Sequence, residues 1–170
     1  MTFTAGGGPP PPPPPAHEYV TNPSVETGMI GWTGVYGSGV MSRVTGGYDG
    51  SFAVRVDANS GSPTSAGFND KPRGVGSTVA GSTYTASAWV RANDVGLTLA
   101  VQLREWSPDG RTSLGLAKTS LVATDTAWHL ITVTYSAAGT GDSLSFAVFA
   151  TNLSTGRSFL ADLFSETSPS

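Results

Sequence analysis

Cysteine is absent from the 170 residues. That removes disulfide staples, thiolate metal sites and cysteine nucleophiles together. Charge is scarce too: 12% of the residues are Asp, Glu, Lys or Arg, against about 25% in soluble proteins generally. The two lysines and seven arginines stand singly along the chain, and the net charge is −3. No basic stripe exists to neutralise phosphates, so nucleic acid is not an expected partner. No apolar run approaches the ~18 residues that span a bilayer, and no membrane association is expected. The opening Met1-Thr2-Phe3-Thr4-Ala5-Gly6-Gly7-Gly8 has neither the basic start nor the apolar stretch of a secretory signal. On that reading the chain is either cut from a longer precursor or leaves its cell by another route.

Small and turn-forming residues take the place of the missing helix formers. Ser and Thr together number 42, Gly 22 and Pro 12. Such a chain makes poor helices, which excludes bundles and coiled coils. Residues 1–17 form an arm with seven consecutive prolines, Pro9, Pro10, Pro11, Pro12, Pro13, Pro14 and Pro15. Proline fixes φ and lacks a donor, so this run predicts a polyproline II rod about 22 Å long, a spacer or a docking segment.

From residue 18 to 167 the pattern becomes short period-two segments broken every 8–12 residues by turn chemistry, leaving 168–170 as a tail. This predicts one antiparallel β-sandwich of about nine or ten strands. In the clearest stretch Tyr84, Ala86, Ala88 and Val90 share one face, and Thr85, Ser87, Trp89 and Arg91 the other. Leu97, Leu99, Val101 and Leu103 alternate with polar residues in the next. Ser107-Pro108-Asp109-Gly110 reads as a turn before a returning strand through Leu114, Leu116 and Leu121. Ile131, Val133 and Tyr135 then share a face, as do Leu144, Phe146 and Val148, and Phe159 to Phe164 closes the domain. The stretch from Asn59 to Gly76 reads as a surface loop around a short strand near Phe68. Gly37-Ser38-Gly39 and Gly46-Gly47 lack the strand–loop–helix context of phosphate binding and read as loops.

The segment Val20-Thr21-Asn22-Pro23-Ser24-Val25-Glu26-Thr27-Gly28, followed by Gly31-Trp32, resembles the opening of the jelly-roll carbohydrate-binding modules of the family 4/9 type. Tyr48 to Val54, Tyr84 to Val90, Asp125 to Tyr135 and Phe159 to Phe164 resemble further motifs of that family in its own order. The resemblance implies a jelly roll over residues 19–166. It also implies a structural Ca²⁺ with Glu26 and Asp162 as side-chain ligands and backbone carbonyls completing the shell. Two departures stand against that: Val25 replaces the family's aromatic, and Ala161-Asp162 its usual pair of acids. In the alternative, Glu26 caps a turn and Asp162 lies exposed.

A glycan platform is the second implication, since sugars stack on aromatic rings and bind bidentate polar side chains. Strand parity puts Gln102, Arg104 and Trp106 away from the core. The same logic exposes Trp89 and Arg91 on the neighbouring segment and Phe149 on another, and together these six predict a groove on one sheet face. The alternative has Trp89 packed beneath a loop and Trp106 closing the 107–110 turn. Trp32 and Trp128, at strand starts, are expected in the core.

Catalysis is not expected. There is no Gly-x-Ser-x-Gly elbow and no His pair at metal spacing. His129 shares parity with core positions, and Glu105 falls on the core side of a strand end. The opening motif also resembles domains of minor tail and head-decoration proteins of bacteriophages that infect actinobacteria. Together these readings predict a virion surface protein, foremost a capsid decoration protein, its arm docked on the particle and possible as a trimer at a symmetry axis. The alternative is an extracellular module that targets a linked glycoside hydrolase or lyase to polysaccharide.

Overall fold

The computed structural model describes residues 16–35 and 39–169. Pro9 to Pro15, read above as a docking arm, lie outside the described residues, as do Gly37 and Ser38. The described residues form eleven strands and no helix: β1 (His17–Glu18), β2 (Trp32–Val35), β3 (Gly39–Thr45), β4 (Phe52–Ala58), β5 (Thr64–Asp70), β6 (Thr83–Ala92), β7 (Thr98–Trp106), β8 (Ser113–Val122), β9 (His129–Ser136), β10 (Ser143–Leu153) and β11 (Ser158–Ser168). Sheet I has the order β3-β4-β11-β6-β9, with β1 also paired to β11; sheet II has the order β2-β5-β10-β7-β8. All pairings are antiparallel. His17 pairs with Ser168, so the folded unit reaches one residue further at each end than the turn pattern indicated.

The two sheets bury the faces that alternation assigned to the core. Tyr84, Ala86, Ala88 and Val90 of β6 oppose Leu99, Val101 and Leu103 of β7 and Leu144, Phe146 and Val148 of β10, all buried. Trp32, Phe68, Phe146 and Phe164 meet edge-on or tilted between the sheets, with centroids 4.4–6.4 Å apart. Such edge-to-face pairs add to the free energy of burying the rings themselves.

Two local features depart from simple alternation. The short strand expected near Phe68 is β5, but it is an interior strand of sheet II between β2 and β10, with Ala66 and Phe68 fully buried. Its Thr-Ser-Ala-Gly-Phe-Asn-Asp composition hides the strand's full length because Gly67 has no side chain to mark the alternation. A Cβ on Gly67 would lie 2.2 Å from the Val148 carbonyl and 2.4 Å from Phe149 Cβ, so only glycine lets β10 approach there. The second is a bulge in β11 between Asp162 and Ser165. Leu163, at φ 48°, is the extra residue, and it shifts parity so that Phe164 and Glu166 point inward.

Glu105 is fully buried on the core side of β7, as expected. Its carboxylate accepts Tyr135 Oη at 2.7 Å and the N–H groups of Ala138 and Gly139. Burial alone would raise its pKa, but these donors outweigh burial and hold the carboxyl below its ordinary value. The same pair pushes Tyr135 up to about 12, through burial and then the Glu105 carboxylate. Tyr135→Phe is therefore expected to lower unfolding free energy by about 2 kcal/mol, a hydrogen bond to a buried charge. Chemical denaturation checks this, and an unchanged midpoint would contradict it.

Candidate functional site

Pairing across sheet II aligns outward side chains in rows. Lys118, Gln102, Ala147, Asn69 and Thr33 form one row from β8 to β2. Leu116, Arg104 and Ser145 form the next. The central strand β10 carries only Ser145 and Ala147 here, whereas its neighbours carry taller side chains. The difference in height digs a trough along β10. It is lined by Val35, Asn69, Gln102, Arg104, Trp106, Ser145 and Ala147 and encloses about 240 Å³. A second hollow of about 470 Å³ continues past Val35 and Asn69 to Lys71, Pro72 and Arg73.

The trough carries polar groups with defined directions. Trp106 Nε1 donates to Ser145 Oγ at 3.0 Å, and the guanidinium carbons of Arg73 and Arg104 lie 4.8 and 5.7 Å from its ring. Arg73 also donates to Ser143 Oγ and the Gly110 carbonyl. Asn69 Nδ2 donates to the Asp70 carbonyl at 3.0 Å, whereas its buried Oδ1 has no hydrogen-bond partner. An orphan acceptor of this kind costs about 1–3 kcal/mol unless a donor reaches it. Phe149 faces the same way but is buried beside Ala100 and Ala147 and does not line the trough. Asn69, Ser145 and Arg73 were not singled out in the sequence, because the full length of β5 was not read and Ser145 is unremarkable alone.

Trp89 and Arg91 do not join this group. They lie on β6 in sheet I, so their outward faces point to the opposite side of the sandwich. Parity says which side of a strand a residue occupies but not which sheet the strand enters, and the chain changes sheets between Ala92 and Thr98. Trp89 instead stacks on Tyr48 with centroids 3.8 Å apart. Tyr48 meets Trp128 edge-on at 5.9 Å, and Arg91 lies 5.2 Å over Trp128. Trp128 is thus half-buried on this outer face and not in the core, while Trp32 is in the core.

The opening motif acts as a clasp. Asn22 Nδ2 donates to the carbonyls of Gly28 and Ile30, and the Asn22 carbonyl accepts Trp32 Nε1. The Pro23 carbonyl accepts the Phe164 N–H at 2.8 Å and joins the segment to β11. Glu26 and Asp162, the pair the resemblance offers to calcium, both bind the 47–52 turn. Glu26 Oε1 accepts the N–H groups of Ser51 and Phe52. Asp162 Oδ2 accepts those of Tyr48 and Asp49, and its Oδ1 that of Leu163. Glu26 is therefore a turn cap, and Asp162 is fully buried, not exposed. Five backbone N–H groups already satisfy these two carboxylates, so a calcium ion at this place would share oxygens that hold the turn. Among the described residues no group of three or more His, Asp or Glu side chains stands at metal spacing.

A different pair of acids faces the interior. Burial pushes Asp70 up to about 6, against the pull of the Gly74 and Phe146 N–H groups and of Arg73. Burial, then Asp70 and Glu18, push Glu166 well above its ordinary value. A carboxyl whose folded pKa exceeds its unfolded value of about 3.9 binds its proton more tightly when folded. Stability is then fully present below about pH 4 and is lost as pH rises through 6. For Asp70 alone the loss is on the order of 3 kcal/mol. In EDTA, unfolding followed from pH 4.5 to pH 7 (roughly this window) is expected to show falling stability; a rise would contradict the assignment.

The fold is a two-sheet antiparallel jelly roll with an outward trough of one tryptophan and several polar groups. Residues 17–155 match the family model described as a carbohydrate binding domain, and the chain belongs to that family. Comparison with curated protein sequences gives no match. Among solved structures, the CBM22-1 xylan-binding domain from Paenibacillus barcinonensis Xyn10C is similar at TM-score 0.69 and 16% identity, covering 91% of this chain and 96% of that one. The CBM22-1–GH10 part of Clostridium thermocellum xylanase 10B, complexed with xylohexaose, is similar at TM-score 0.68 and 18% identity, covering 90% of this chain. The enzymatically active domain of tailspike protein 4 of bacteriophage CBA120 is similar at TM-score 0.67 and 11% identity, covering 89% of this chain. This chain spans only 28% and 21% of the last two. At these identities the likeness is one of fold.

Proposed function

We propose that residues 17–168 form a non-catalytic module that binds a polysaccharide along β10, on the outer face of sheet II. The observation that carries this is the trough itself: Trp106 at its wall, with Gln102, Arg104 and Asn69 in its lining. A sugar ring supplies both an apolar face for the indole and hydroxyls for the polar side chains beside it. Membership of a carbohydrate binding family, and neighbours named for xylan, support the same reading. Lys71, Arg73 and Arg104 line the trough and its extension, so a uronate-bearing chain is expected to bind more tightly than its neutral counterpart. Affinity electrophoresis through gels containing xylan, glucuronoxylan and other polysaccharides tests this. Retardation on at least one is expected, and free migration through all would overturn it.

A second reading concerns where the module works. The similarity to a bacteriophage tailspike domain favours display on a virion, with Pro9 to Pro15 docking on the particle. The resemblance of the opening motif to head-decoration proteins is what puts capsid decoration ahead of a tail position in this reading, with a trimer at a symmetry axis. Deletion of residues 2–16 is expected to lower occupancy on assembled particles. Full occupancy without the arm would favour the other setting, a module that brings a linked glycoside hydrolase or lyase to polysaccharide.

A further inference from the structure

We infer that a calcium-class divalent cation binds between the sheets at Asp70 and Glu166, away from the Glu26–Asp162 turn and from the glycan trough. Glu166 projects inward from β11, is fully buried, and neither of its carboxylate oxygens has a hydrogen-bond partner. Asp70 comes from β5 of the opposite sheet. Its Oδ1 accepts the Phe146 N–H and its Oδ2 the Gly74 N–H, at 3.0 and 2.7 Å. Each of those oxygens keeps a second lone pair. Both carboxylates line one cavity of about 170 Å³, together with Tyr19 to Asn22, Trp32 and Gly74. A water occupies about 30 Å³ in the liquid, so a hydrated ion fits.

The oxygens converge further at Gly74. The point where a side chain would begin lies 2.8 Å from Glu166 Oε2 and 3.2 Å from the Tyr19 carbonyl oxygen. That glycine keeps open the space beside both. Glu18 adds negative potential, its own oxygens taking the N–H groups of Val20 and Glu166 and the hydroxyl of Ser165. The cationic residue at the cavity wall is Arg73, whose guanidinium donates elsewhere, to Ser143 and Gly110. An ionised carboxylate without partners in a dry interior is very unfavourable; a cation or a proton must compensate it. Two carboxylates and a carbonyl are hard oxygen donors, and calcium accepts such a set with waters completing six to eight ligands. The ion would tie β11 to β5 and to the entering segment at Tyr19.

The test uses the full chain stripped with EDTA. Calcium is expected to raise the melting temperature saturably, by about 5–10 °C at a hundredfold excess over its dissociation constant. Terbium is expected to bind in competition with calcium and to luminesce on tryptophan excitation, because Trp32 lines the cavity. Glu166→Gln, of the same shape, is expected to fold in EDTA and to lose both responses, and Gly74→Ala to weaken them at least tenfold. Glu26→Gln is expected to retain them. No saturable calcium response in the wild type up to about 5 mM, or terbium emission unchanged in Glu166→Gln, would overturn the proposal. Native mass spectrometry of the wild type reads the stoichiometry independently: one calcium is expected, and none would overturn it.

Discussion

Phe164→Ala is expected to lower stability by about 3–5 kcal/mol, the range for removing a buried aromatic ring. Phe164 leaves β11 just past the bulge, and its ring stands 4.4 Å from Trp32, 5.5 Å from Phe68 and 6.4 Å from Phe146. It is the contribution of sheet I to a cluster otherwise built by β2, β5 and β10 of sheet II. Any cavity that the surrounding rings leave open adds to the lost transfer free energy. Against a typical total of about 5–15 kcal/mol, this removes a large share of the domain's stability. Leu116→Ala, at a position 47% exposed on the edge strand β8, is expected to change stability by less than about 0.5 kcal/mol. Urea unfolding of the two variants checks the contrast. Equal midpoints would mean that Phe164 does not hold the sheets together.

Trp106→Ala is expected to weaken polysaccharide binding by at least about 30-fold, the effect of losing a central aromatic anchor. Trp89→Ala is expected to leave binding within about twofold, a surface change away from the site. Both tryptophans are half-buried and face outward, and both have an arginine two residues away along the strand. What separates them is the sheet: Trp106 borders the trough, and Trp89 is stacked under Tyr48 on the far side. Loss of binding in Trp89→Ala with Trp106→Ala unaffected would move the ligand to sheet I.

Much of this fold is legible in the residues. Alternation in Tyr84–Val90 and Leu97–Leu103 gives both the strands and their buried faces, because a two-residue period needs no knowledge of the partner strand. The opening motif is legible for a chemical reason as well. Asn22 and Trp32 are the side chains whose amide and indole close the clasp. Sheet membership is not local, and that is where the site reading failed for Trp89 and Arg91. The trough depends on Ser145 and Ala147 being short beside Gln102 and Asn69, a relation that pairing creates and no single segment displays. Glu166 was hidden by the bulge at Leu163, which reverses parity along β11. Ordinary counting onward from Asp162, an outward partner of Trp89, puts Glu166 on the wrong face.

The central claim, that sheet II's outer face receives a sugar chain, is tested most directly by a 15N-edited NMR titration with a soluble oligosaccharide from whichever polysaccharide retards the protein. The four tryptophans each give one indole N–H signal. The Trp106 signal, whose proton points to Ser145 Oγ, should shift and saturate with the ligand, while those of Trp89 and Trp128 stay in place. Saturable shifts at Trp89 and Trp128 with Trp106 unmoved would contradict the account.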